Sequence, residues 1–124
     1  MKSIVLSINP IHVQNILNGA KKYEYRTKAA KGNVKSIFMY ETAPVKKIVA
    51  EAEIVEVLML SPEDLWEKTK EQSGITKQFF DSYFKGREVA YAYKLGKVNV
   101  FDEPKELIDF GIKAAPQSFV YLNS

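Results

Sequence analysis

A cation, a carboxylate and a second, forked cation follow one another in Gly19-Ala20-Lys21-Lys22-Tyr23-Glu24-Tyr25-Arg26. From Lys22 onward the segment alternates basic, aromatic, acidic, aromatic and basic residues, the period-two pattern of a strand. Residues two apart on a strand share a face with Cα atoms ~7 Å apart, so Glu24 and Arg26 stand side by side. Lys21 falls just past a helix end, in the turn that enters the strand. Tyr23 and Tyr25 point to the opposite face, into a core. One surface then carries all three charged groups, and such a set can hold a nucleotide. Arg26 takes phosphate or a base edge and Lys21 supplies charge. Glu24 accepts from an exocyclic amine or holds Arg26 in place. The plainer reading of the same residues is a solvated ion pair worth less than ~1 kcal/mol, and on these residues alone it is the commoner outcome.

Further polar residues fall where the ends of strands could open beside this segment. Ser7 and Asn9 close the strand that precedes the motif, although Asn9 reads most simply as a helix cap. Tyr40 and Glu41 end another strand. Gln117 and Ser118 follow Pro116 and could read a base edge, or form a polar turn before a last strand. Lys22, Lys28, Lys31 and Lys35 form a basic rim, equally readable as a solvated loop. His12, in a first helical turn, reads as a surface residue. Phe79, Phe80, Tyr83 and Phe84 stand at helical spacing, and like Trp66 they read as core. Arg87 reads as a surface arginine.

The elements that must position these residues are short. Ser3 to Ile8 is a strand rich in branched residues, and Asn9-Pro10 opens a short helix that Gly19 stops. Residues 36–41 and 48–60 are strands. Ser61-Pro62-Glu63-Asp64 caps a helix running to about Gln72, and Thr76 caps another. Val89 to Val100 is a long strand or hairpin with a bulge or turn at Leu95-Gly96-Lys97. Pro104 to Phe110 reads as a short helix, and Phe119 to Leu122 as a last strand. About six strands and three or four short helices, without regular βαβ alternation, give an α+β chain: a small mixed β-barrel rather than a parallel sheet.

The 124 residues, 46% hydrophobic and 27% charged, suit one folded unit over 1–124 and exclude a mostly disordered chain. Cysteine is absent and there is a single histidine, so disulfides, thiolate zinc sites and His-rich metal sites are excluded. No metal or cofactor is expected. Without an apolar run long enough for a membrane span or signal peptide, the expected compartment is the cytoplasm. Residues 1–50 carry nine Lys and Arg against two Asp and Glu, and the remainder is acidic. Only Arg26 and Arg87 are arginine, which argues against reading a duplex through several forked contacts.

The segment Gly19 to Arg26 resembles the Gly-x-Lys-x-x-Glu-x-Arg signature of the ASCH domain, a branch of the PUA-like superfamily. The preceding Leu6-Ser7-Ile8-Asn9-Pro10, the segment Pro44 to Ala52 and the closing Ala115-Pro116-Gln117-Ser118-Phe119-Val120-Tyr121 are similar to the family in order and setting. The resemblance covers essentially the whole chain and implies a PUA-like barrel. It also implies that the motif lines a cleft that contacts nucleic acid or a nucleotide-like ligand, and this outweighs the ion-pair reading.

The resemblance implies two chemistries as well. One branch cleaves the amide of an N4-acetylcytidine-type nucleoside with a lysine, a threonine and a glutamate. Lys21 matches the lysine, but Glu24 stands where that branch has threonine. The second acid would fall near Ser73, with Glu71 two residues away. Another branch is linked to RNA cleavage, for which Lys21 and Glu24 would serve as cation and general base. A carboxylate beside two cations is a weakened base. The leading expectation is therefore binding of RNA or a modified nucleotide by Lys21, Glu24 and Arg26, in RNA metabolism or in regulating transcription or translation. A hydrolase is the alternative, and a module with a protein partner is a third reading.

Overall fold

The computed structural model describes residues 2–122. In chain order the elements are β1 (Lys2–Ile8), α1 (Pro10–Leu17), β2 (Tyr23–Arg26), β3 (Val34–Glu41), β4 (Lys47–Leu60), α2 (Pro62–Thr69), α3 (Lys77–Tyr83), β5 (Ala90–Lys105) and β6 (Phe119–Leu122). Single 3-10 turns at Lys70–Gln72 and Leu107–Phe110 complete the set. The strands form one mixed sheet in the order β2-β5-β4-β3-β1-β6. β1 and β3 run parallel, which requires the crossover through α1 and β2, and every other pair is antiparallel.

The sheet curls into a half-barrel. The side chain of Arg26 on β2 reaches the backbone of Ser7 on β1, four places away in the strand order, and a flat sheet would hold those strands ~19 Å apart. Alternation along β1 sends Ile4, Leu6 and Ile8 inward with Ile37, Met39, Ala50 and Tyr93, and Val5 outward with Tyr40 and Ile48. A second apolar cluster lies under the helices, where Leu65, Phe80 and Phe84 meet Tyr25, Leu58 and Ala92. β1 and β6 pair so that Ser3 faces Leu122.

The helix starts follow their sequence signals, with one difference. Ser61 accepts from the Asp64 N–H and Thr76 from the Phe79 N–H. Asn9 occupies the cap position of α1, and its backbone carbonyl accepts from Val13. Its side chain makes no cap bond and faces Thr42 instead.

The long strand with a bulge expected over Val89 to Val100 is β5, whose register against β4 shifts between Leu95 and Val98; it differs from the expectation in running on to Lys105. Gly96 lies within the strand, at its bulge, and a Cβ there would meet only the side-chain ends of Glu53 and Val55, which are exposed and free to move aside. The helix expected over Pro104 to Phe110 is only the turn Leu107–Phe110, because β5 runs on to Lys105. β2 pairs with β5 only at residues 91–94, so Pro104 meets no ladder partner on that side and its missing N–H costs nothing.

Candidate functional site

The ends of β1 and β2, the start of α1 and one face of α3 enclose a cleft of about 290 Å³. Lys21, Glu24 and Arg26 line it together. Arg26 donates from Nε (3.1 Å) and Nη2 (2.8 Å) to the same Glu24 oxygen, Oε2. Nη2 also reaches the Ser7 carbonyl at 2.6 Å. The pair is far from the solvated one considered above, since Glu24 is 4% exposed and its carboxylate is held by a guanidinium that is itself anchored. Among the described residues Oε1 has no protein donor and no other carboxylate lines the cleft.

Lys21 is 2% exposed. Its ammonium donates to the Ser73 carbonyl at 3.1 Å and lies 4.7 Å above the centre of the Tyr25 ring. The Tyr25 hydroxyl is in turn 2.7 Å from Thr69 Oγ1. Burial pulls the Lys21 amine down to about 8, with Glu24 opposing and Arg26 adding to the fall. Gly74, with φ 67°, lets the loop after α2 pass directly against Lys21, where a Cβ would strike the lysine's own Cβ. The Lys21 N–H bonds the Asn15 carbonyl, and Asn15 Nδ2 bonds the Gly74 carbonyl. The lysine is thus clamped between α1 and that loop.

The other wall is aromatic. Phe79 and Tyr83, one helical turn apart on α3, lie 6.3 Å apart with planes 9° from parallel. They are 45% and 39% exposed, while Phe80 and Phe84 beside them are buried as expected. Four aromatics at 79, 80, 83 and 84 fill two adjacent stripes of a helix, and a seven-residue surface helix buries only one. That crowding was the available signal for Phe79 and Tyr83. His12 also lines the cleft, with its ring edge-on to Phe79 at 5.3 Å. No pattern in the sequence pointed to it. Burial holds its imidazole below the ordinary value; Glu24 opposes this, and Lys21 and Arg26 reinforce it.

The remaining residues named from sequence divide. Ser7, Asn9 and Gln117 line the cleft, although Ser7 offers Arg26 its carbonyl and spends its hydroxyl on Pro116 O, 2.6 Å away. Tyr40 does not line it: β1 and β3 pair with Ser7 beside Tyr40, and the Tyr40 ring packs outward against Val5 and Ile48. Ser118 lies outside it too, its carbonyl accepting from the Ser7 N–H. Lys22, Lys28 and Lys31 are exposed outside the cleft. Lys35 borders a separate depression with Glu51, Glu53 and Lys97. The loop from 27 to 33 is drawn away by two tyrosines: Tyr93 accepts from the Ala30 N–H, and Tyr121 bonds both backbone groups of Lys31. Glu71 lies by Tyr23 and Glu67, away from the cleft. Among the described residues no cluster could hold a metal and no helix is long and apolar enough to cross a membrane.

Residues 8–115 match the family model described as a domain of unknown function, DUF365. The chain is 29% identical over 122 residues, 98% of its length, to part of large ribosomal subunit protein uL22 of Ureaplasma parvum serovar 3, of which it spans only 39%. It is 27% identical over 95 residues, 76% of its length, to 64% of an ASCH domain-containing ribonuclease of Zymomonas mobilis. The crystal structure of ASCH from Zymomonas mobilis superposes with a TM-score of 0.87 at 25% identity, covering 98% of this chain and 87% of that one. The N-terminal domain of Staphylothermus marinus McrB, at a TM-score of 0.52 and 14% identity, shares the fold alone. Sequence and architecture agree: the chain belongs to the DUF365 family and is an ASCH domain of the PUA-like superfamily.

Proposed function

We propose that the cleft binds single-stranded RNA or a modified nucleotide, taking one unstacked base between the α3 aromatics and the charged floor. The observation that carries this reading is the pairing of a buried cation, Lys21, with the exposed parallel rings of Phe79 and Tyr83 across a space of nucleotide size. Aromatic faces stack on any base, and single strands, unlike duplexes, can present one. Glu24 Oε1 is the free acceptor for an exocyclic amine, and Arg26 is pre-oriented by two anchors. The similarity to a protein named an ASCH domain-containing ribonuclease supports an RNA-related role. Fluorescence anisotropy with a labelled single-stranded hexaribonucleotide tests it. Salt-sensitive binding that Phe79→Ala and Lys21→Met each weaken is expected; equal affinity in all three proteins would sink it.

One observation favours a hydrolase as the second reading. An amine brought down to about 8 can exchange a proton near neutral pH, and it lies in the same cleft as an unengaged carboxylate oxygen. Gel analysis of RNA and chromatography of N4-acetylcytidine, each incubated with the protein and with Lys21→Met, would reveal turnover dependent on that amine.

A further inference from the structure

His12 Nδ1 is buried and, among the described residues, is the one enclosed side-chain polar atom without a hydrogen-bond partner. The ring lines the cleft, and among the described residues its Nε2 makes no bond to the protein. Three consequences follow from elementary chemistry. An imidazolium would bury a second N–H with no acceptor. It would also stand in the first turn of α1, at the positive end of the helix dipole. The charged groups facing it are Lys21 and Arg26 against the single carboxylate of Glu24. The ring is therefore neutral at pH 7. A neutral ring holds one proton, and an enclosed N–H without an acceptor is the rarer defect than an enclosed lone pair. The proton then resides on Nε2.

We infer that His12 is a specificity residue of the cleft, presenting a fixed Nε2–H donor to a carbonyl, ring-nitrogen or phosphate oxygen acceptor of the bound nucleotide. This rests on the nucleotide-binding reading and deepens it. Glu24 Oε1 is an acceptor, whereas His12 Nε2, Lys21 and Arg26 are donors, so the cleft selects a ligand face with one donor group among several acceptors. His12 does not act as a base: its cleft-facing nitrogen already carries the proton, and the nitrogen with the lone pair is enclosed. Phe79 holds the ring in this orientation through the edge-on contact.

The chain contains one histidine, so ¹⁵N-histidine labelling gives one pair of ring signals that reports tautomer and charge directly. The expected spectrum is a neutral Nε2–H ring at pH 7, protonating below the ordinary histidine range. An Nδ1–H tautomer or a charged ring at pH 7 would overturn the assignment. The ligand arm uses cytidine and uridine 5′-monophosphates and the hexaribonucleotide, titrated into wild type, His12→Phe and His12→Gln. His12→Phe keeps the ring contact with Phe79 and removes the donor; about tenfold weaker binding is expected, the scale of one hydrogen bond, and His12→Gln restores part of it. Wild-type affinity in His12→Phe overturns the donor role and leaves the cleft reading intact. No binding by wild type overturns the cleft reading, and the donor role falls with it.

Discussion

Arg26 Nη2 stands 2.6 Å from the carbonyl oxygen of Ser7, which ties one end of the sheet to β1 across the open side of the half-barrel. The same guanidinium fixes Glu24. The group that shapes the cleft is therefore also a closure of the fold.

Removing it should cost stability as well as binding. Arg26→Ala leaves a nearly buried carboxylate and a carbonyl without their donor, a defect on the scale of about 3–5 kcal/mol. Arg26→Lys keeps the charge but cannot make the forked contact, and should recover only part of the loss. Urea denaturation of the three proteins measures this; an Arg26→Ala curve superposing on wild type would show that the bond closes nothing.

Lys21 should show the opposite relation between stability and function. Its folded value of about 8 lies below the ordinary 10.5, so charging the buried amine opposes folding. The penalty is full below pH 8 and fades as pH rises from 8 to 10.5. Lys21→Met should be more stable than wild type at pH 7, by a margin that shrinks over that interval, while binding the oligonucleotide poorly. Wild-type binding of the anionic oligonucleotide should itself fall as pH passes 8. Thermal melts and anisotropy at pH 7, 8 and 9.5 read both effects.

Neighbouring aromatics on α3 should separate cleanly. Phe79→Ala should leave stability within about 1 kcal/mol, because the ring is half exposed, yet weaken base binding by about 1–3 kcal/mol. Phe80→Ala empties the cluster under the helices and should cost about 3–5 kcal/mol of stability. Loss of binding without loss of stability, in Phe79→Ala alone, is the decisive pattern.

Gly74→Ala should disturb the cleft from outside. The added methyl meets Lys21 in a backbone conformation that already disfavours alanine, so the Lys21–Ser73 bond should break and the protein lose stability. A crystal structure showing Lys21 unmoved in this variant would refute the clamp.

Much of the site was legible because it is local. Lys21, Glu24 and Arg26 lie within six residues, and period-two alternation alone places Glu24 and Arg26 on one face. Ser7, Asn9 and Gln117 were reachable as ends of neighbouring strands. His12 was not, because it joins the cleft only when α1 comes against α3 and its ring meets Phe79. For Phe79 and Tyr83 the crowding of four aromatics on one short helix was a signal that two of them stay outside the core, but it did not say what they face. Tyr40 shows the converse error: proximity to a strand end says nothing about which face of the sheet a ring takes. Pro104 followed by Lys105 and Glu106 resembles a helix start in sequence, whereas the short reach of β2 leaves it at an unpaired edge of β5.

The pairing of Ser3 with Leu122 puts the points where the polypeptide enters and leaves this fold side by side. Along β1 they lie four residues, about 13 Å, from Ser7, at the end of the strand remote from the cleft. The strand-end cleft and the Ser3–Leu122 pair thus sit at opposite ends of β1, so the two ends of the fold are joined away from the cleft.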